Sequence, residues 1–226
     1  MLPSLEVYND DVPRSAPMNM ALDEVFWRSA GTARLRFYRW DHPAISFGYF
    51  GRYADVAPYA DKWEIVRRCT GGGIVFHGND LTYALVIPAN LLRPSPSTSS
   101  VYALTHRAVQ NALLKGGFDA RLIEPASVEQ SSLVAAQPNA CFANPVRSDV
   151  MVDGQKVAGA AQRRSRHGLL QQGSIQNIQL PYDFQGRFVQ QLAANIVERA
   201  IDPAVLDQAA ELTAAKYATR DWLYRE

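Results

Sequence analysis

The sequence predicts an α+β fold in which helices pack on a mixed, largely antiparallel sheet. Three observations predict it. Short β-like runs crowd residues 35–87 and 149–178, and helical patterns bracket them, in an order that is neither a βαβ alternation nor all-β. Asp153-Gly154 joins two apolar runs, the strongest two-residue hairpin signal. The 226 residues are 47% hydrophobic and 20% charged, enough for a sizeable core, so the chain reads as a single domain over 1–226.

Taken in order, the first helix has Ser15 as cap, Pro17 in its first turn and Gly31 as terminator. Met18, Leu22, Val25, Phe26 and Ser29 share one of its faces at helical spacing. Strands are expected at 35–40, 44–49, 64–68 and 81–87, separated by turn residues. A Pro/Ser-rich loop at 90–100 leads to a helix over 101–115, stopped by Gly116-Gly117. Residues 124–140 show no period and read as a long loop, which in a compact domain is often functional. Residues 149–152 then pair with 155–161 across the Asp153-Gly154 turn, and another strand follows over 169–178. Two helices close the chain: Phe184, Phe188, Leu192 and Ile196 stripe the first, and Asp202-Pro203 begins the second.

Composition excludes several function classes. Net charge is +1, so the balance points to neither nucleic acid nor a membrane surface. No apolar run reaches the roughly 20 residues of a spanning helix, and the N-terminus lacks the basic start and apolar stretch of a signal peptide. Cys69 and Cys141 alone build neither a disulfide framework nor a Cys-rich metal site, so a reduced, cytoplasmic setting is expected.

Two stretches can carry chemistry. Arg67-Arg68-Cys69-Thr70 runs into Gly71-Gly72-Gly73 and on to His77. Three glycines let a backbone approach a ligand closely and expose its N–H groups, and the arginines can meet a phosphate or carboxylate. A flexible turn with solvated arginines is the plain alternative. The spacing fits neither the phosphate loop nor the dinucleotide fingerprint. The second stretch runs from Cys141 to Asp149–Ala161, where Lys156 stands two positions past the turn. Ala158, Gly159, Ala160 and Ala161 leave room beside it for a ligand.

Five ordered blocks between Asn19 and Ile175 are recognisable together. Asn19-Met20-Ala21-Leu22-Asp23-Glu24, Leu35-Arg36-Phe37-Tyr38-Arg39-Trp40, Ser46-Phe47-Gly48-Tyr49-Phe50, the arginine–glycine block and Asp153-Gly154-Gln155-Lys156-Val157-Ala158-Gly159-Ala160-Ala161-Gln162 resemble the lipoate–protein ligase and octanoyltransferase superfamily. The resemblance implies the α+β fold of biotin and lipoate ligases, class II synthetase-like, with an acyl tunnel beside the glycine loop and the lysine. It implies Cys141 and Lys156 as catalytic residues. Arg68, Gly71, Gly72, Gly73, His77, Tyr83, Ala158, Gly159, Ala160 and Gly173 are the expected substrate-binding residues, with no metal site.

The superfamily holds two chemistries. Ligases activate free lipoate with ATP; octanoyltransferases take octanoyl from acyl carrier protein through a cysteine thioester. Cys141, fifteen residues before Lys156, resembles the nucleophile of the transferase branch typified by Gram-positive bacteria, as does Asp80-Leu81-Thr82-Tyr83. The short segment after Ile201 points the same way; Gly73 is ligase-like. The expected activity is therefore cofactor-free transfer of octanoyl, or lipoyl, to a lysine of a lipoyl domain. ATP and Mg²⁺ enter only in the ligase alternative, and a non-catalytic acyl-binding protein is a third reading. Implied partners are acyl carrier protein and lipoyl-domain proteins such as glycine cleavage H protein or dehydrogenase E2 lipoyl domains. Arg163, Arg164, Arg166 and His167 form a basic turn suited to acidic partners. Lys156 is expected to favour the Cys141 thiolate, since a free thiol near pKa 8.5 is mostly protonated at neutral pH.

Overall fold

A computed structural model describes residues 1–92, 97–124 and 146–225. Its main sheet has eight strands in the order β11-β1-β2-β6-β10-β9-β8-β7. In chain order these are β1 (Leu2–Arg14), β2 (Ala33–Trp40), β6 (Leu81–Pro88), β7 (Ala120–Leu122), β8 (Val150–Val152), β9 (Gln155–Ser165), β10 (Gly168–Ile175) and β11 (Ala193–Glu198). A smaller sheet, β4-β3-β5, joins β3 (Ala44–Phe47), β4 (Glu64–Arg67) and β5 (Val75–His77). Parallel pairing is confined to β1 with β11, β1 with β2 and β3 with β4. The sheets are therefore mixed and mostly antiparallel, as the sequence predicts.

Helix α1 (Ala16–Ser29) crosses between the parallel neighbours β1 and β2 and covers one face of the main sheet. Met20, Leu22 and Phe26 pack there with Tyr38, Trp40, Ala84, Val86 and Leu170. The other face is covered by α2 (Thr98–Lys115) and α3 (Phe184–Leu192), which bury Val109, Leu113, Phe188 and Leu192 against Leu5, Leu35, Tyr83 and Leu85. Strand alternation explains the division, since Ala84 and Val86 pack on the α1 side while Tyr83 and Leu85 pack on the side of α2 and α3. The last elements are α4 (Pro203–Leu212), capped by the Asp202 carboxylate on the Ala204 N–H, and the short α5 (Arg220–Leu223).

Several predicted details shift. Ser15 sits at the N-cap of α1 without a side-chain bond; Glu64 accepts the Ala16 N–H at 2.6 Å instead. The helix ends at Ala30, one residue before Gly31. The predicted helical stripe fails at Ile196, because the chain turns extended at Ala193 and Ile196 lies on β11, partly exposed. The long loop at 124–140 falls almost entirely outside the described residues. The hairpin forms as expected: Asp153 and Gly154 both take positive φ, 49° and 76°, as a tight I′ turn needs.

A buried polar network locks α1 to the sheet. The Arg36 guanidinium donates to Asp10 at 2.7 Å, to Asp23 at 2.9 Å and to the Asn19 side chain at 2.6 Å. Asp23 also accepts from Tyr38 at 2.9 Å and from Gln172 at 2.7 Å. Asn19 and Asp23 of the first recognisable block thus have a structural task.

Candidate active site

Between the two sheets lies a narrow cleft, open to solvent. Its floor is a row of four residues in cross-strand register, Gly159 of β9, Ser174 of β10, Thr82 of β6 and Tyr38 of β2. At about 4.8 Å between strands, the row spans roughly 14 Å. Met20, Tyr38 and Trp40 make one end aromatic and apolar. Ser46, Val75, His77 and Arg68 of the small sheet and its turn form the facing wall.

That wall is held by a relay of hydrogen bonds. His77 Nδ1 meets Asp80 Oδ2 at 2.8 Å, and Nε2 meets Ser46 Oγ at 2.6 Å. Asp80 also accepts from Ser174 at 2.6 Å, from Thr82 at 2.9 Å and from the Gly78 N–H at 3.0 Å. Burial pushes the Asp80 carboxyl up, but His77 and these donors outweigh it and hold the group below its usual range. A carboxylate only accepts, so in the bond to Asp80 it is Nδ1 that carries the proton. The imidazole stacks on Trp40 with centroids 4.0 Å apart. Arg68 donates to Ser46 Oγ at 2.7 Å and to the carbonyls of Gly71 and Gly73 at 3.0 and 2.8 Å. Its guanidinium therefore braces the glycine loop.

Within that loop Gly72 has φ +84°, and a Cβ there would stand 3.1 Å from Ala161 Cβ. Gly48 permits the closest approach, since its Cβ would be 2.0 Å from the Gly72 carbonyl oxygen. Arg67 faces elsewhere. Its buried guanidinium donates to five carbonyls, of Tyr49, Gly51, Trp222, Leu223 and Arg225, tying the C-terminal turn to β4. The pair of arginines divides its work, and only Arg68 borders the cleft.

At the β9 end of the floor, the Lys156 ammonium lies over Gly159 and pairs with Asp149 at 2.7 Å, both side chains buried. Tyr102 of α2 donates to the other Asp149 oxygen and accepts the Ala160 N–H at 3.2 Å. That N–H is therefore occupied.

Of the predicted site residues, Arg68, His77, Gly159, Ala160 and Gly173 line the cleft. Gly71, Gly72 and Gly73 form the loop above it. Two lie elsewhere. Tyr83 and Ala158 face α2 and α3 in the opposite core. Tyr83 instead explains Gly173, where a Cβ would meet the tyrosine ring at 2.2 Å. Cys141 lies outside the described residues. Cys69 is fully buried, and burial, with Glu24 adding, pushes its thiol up to about 11, so it is no competing nucleophile. Sequence reading assigned no role to Ser46, Thr82, Gln172, Ser174, Tyr102 or Asp149. The one local signal was Gln172 and Ser174, polar residues in a strand buried along its whole length.

A family model described as the lipoyl protein ligase A/B catalytic domain matches residues 15–202. Among curated proteins, the octanoyltransferase LipM of Kyrpidia tusciae is 36% identical over 169 residues, 71% of this chain and 62% of its own. That of Oceanobacillus iheyensis is 33% identical over 186 residues, 77% and 66% respectively. The chain thus spans a little under two thirds of the length of these relatives. Lipoate-protein ligase A bound with ATP superposes with a TM-score of 0.75 at 22% identity, covering 99% of both chains. The bi-partite lipoate protein ligase of Thermoplasma acidophilum gives 0.76 at 21%, covering 99% and 98%. The fold is shared with both.

Proposed function

Because the chain belongs to the lipoyl protein ligase A/B catalytic-domain family, we propose that it transfers octanoyl, or lipoyl, to a lysine of a lipoyl domain through a thioester on Cys141. The observation that carries this reading is the cleft itself, walled on both sides, with aromatic side chains at one end of its floor and, at the other, Gly159, against which the buried Lys156 ammonium packs. On this reading a medium acyl chain lies along the floor with its carbonyl toward the Gly159 end, next to Lys156. The curated relatives are named octanoyltransferases, which supports octanoyl as the group; acyl carrier protein is its proposed donor.

In the first half-reaction the Cys141 thiolate attacks the carbonyl of the donor thioester. The tetrahedral species collapses, forming the enzyme thioester and expelling the donor thiolate. In the second, the neutral acceptor lysine amine attacks, an amide forms and the Cys141 thiolate leaves, the amine's surplus proton passing to thiolate or water. On this reading the Lys156 ammonium stabilises the negative charge that develops on the acyl oxygen. Its pairing with Asp149 means that it acts as a placed dipole rather than a bare charge. His77, with both ring nitrogens engaged, shapes the wall. The reaction needs no ATP or Mg²⁺. The test is the mass of a lipoyl acceptor domain after incubation with each donor in turn. Octanoyl–acyl carrier protein alone should modify it, whereas modification only by free acid with ATP would make the protein a ligase.

A further inference from the structure

We propose that Asp149 and Tyr102 are positioning residues that hold the Lys156 ammonium over Gly159 at the β9 end of the cleft floor. What that ammonium does rests on the transfer reading above; its placement rests on geometry. Residues three apart on a regular strand face opposite sides of a sheet. The register of β8 against β9 shifts between Val150 and Met151, and this bulge turns Lys156 to the side of Gly159. A Cβ on Gly159 would stand 2.6 Å from Lys156 Cε and 2.8 Å from Nζ, so the bare glycine is the seat of the amine.

The Asp149 carboxylate is fixed at both oxygens. Oδ2 takes Lys156 at 2.7 Å and the Val146 N–H at 2.7 Å, and Oδ1 takes the Tyr102 hydroxyl at 2.5 Å. Tyr102 accepts from the Ala160 N–H. The chain of bonds leaves β9 at Ala160, passes through α2 and Asp149, and returns to β9 at Lys156. One turn further along α2, His106 donates from Nδ1 to the Ser148 carbonyl at 2.8 Å and packs edge-on against Tyr102. Burial, with Lys156 adding, pushes its pKa down to about 4, so it brings no charge to the pair at neutral pH. A buried ion pair is seldom more stabilising than apolar residues of the same volume. Its presence beside a cleft is explained by the need to place a charge there.

Asp149→Asn keeps the shape and removes the charge. We expect kcat/KM to fall roughly 100-fold, mostly in kcat, and the alkaline limb of the pH–rate profile to move to lower pH. Asp149→Glu should lower the rate yet leave the profile in place. Gly159→Ala should lower kcat by displacing the amine. A second arm is independent of transfer: reductive methylation with formaldehyde and cyanoborohydride, read by peptide mass, with the exposed Lys62 and Lys115 as references. Lys156 should be labelled several-fold faster in Asp149→Asn than in the wild type. Unchanged labelling, or a variant within twofold of the wild-type rate, would overturn the proposal. A wild-type protein inactive in transfer would sink the reading above instead, and labelling would then decide the placement alone.

Discussion

Gly48→Ala puts the coupling between glycine loop and cleft wall to a quantitative test. A Cβ at residue 48 would stand 2.0 Å from the Gly72 oxygen and 2.8 Å from Gly71 C and O, all backbone atoms. Ordinary contact begins at 3.4 Å, so the loop must retreat by more than 1 Å. It is not free to do so, because the Tyr49 N–H donates to Thr70 O at 2.8 Å and Arg68 grips the Gly71 and Gly73 carbonyls. Overpacking of this kind costs about 1–3 kcal/mol, which for a chain of this size lowers Tm by about 3–10 °C. A displacement near 1 Å at the reacting groups costs about 100-fold in rate, since Arg68 would also loosen its hold on Ser46 and so on His77. The assay pairs thermal unfolding with kcat/KM for acceptor-domain octanoylation. Gly31→Ala, where a Cβ meets nothing within 4 Å, is the control and should match the wild type. Wild-type values for both quantities in Gly48→Ala would refute the reasoning.

Two further outcomes follow from buried polar groups. Arg36→Lys cannot serve Asp10, Asp23 and Asn19 together, so it should cost about 3–5 kcal/mol and lower Tm by roughly 10 °C in a calorimetric scan. His106 has its folded pKa depressed from 6.5 to about 4, chiefly by burial. The stability linked to it is whole above pH 6.5 and is lost as pH falls toward 4, by about 3 kcal/mol in all. His106→Asn, which keeps a donor for the Ser148 carbonyl, should flatten the acid side of the urea-unfolding curve against pH. An equally steep acid slope in that variant would show that other groups govern it.

Legibility followed locality. Helix α1 and the hairpin carry their signals within a few residues and were readable. Strand β1 was not, because Pro3, Glu6, Asn9 and Asp10 hide the buried Leu5 and Val7, and its order comes from two parallel neighbours distant in sequence. Strand β11 was mistaken for helix because Leu192 and Ile196 keep the four-residue spacing across a real helix end. In the site, Lys156 was found by motif, but its partner Asp149 and the bulge that aims it belong to the pairing of β8 with β9. Tyr102 lies 47 residues from Asp149 and Ser46 lies 31 from His77, so no local pattern joins them. Tyr83 and Ala158 were misplaced for a related reason: which face of a strand meets the cleft depends on tertiary packing.

The most direct test of covalent transfer is the intact mass of the protein after mixing with octanoyl–acyl carrier protein, with no ATP present. The wild type and Cys69→Ala should each gain one octanoyl group, since the Cys69 thiol is buried with its pKa raised to about 11. Cys141→Ala should gain none and turn over no substrate. An adduct that persists in Cys141→Ala, or full octanoyl transfer by that variant, would contradict the account.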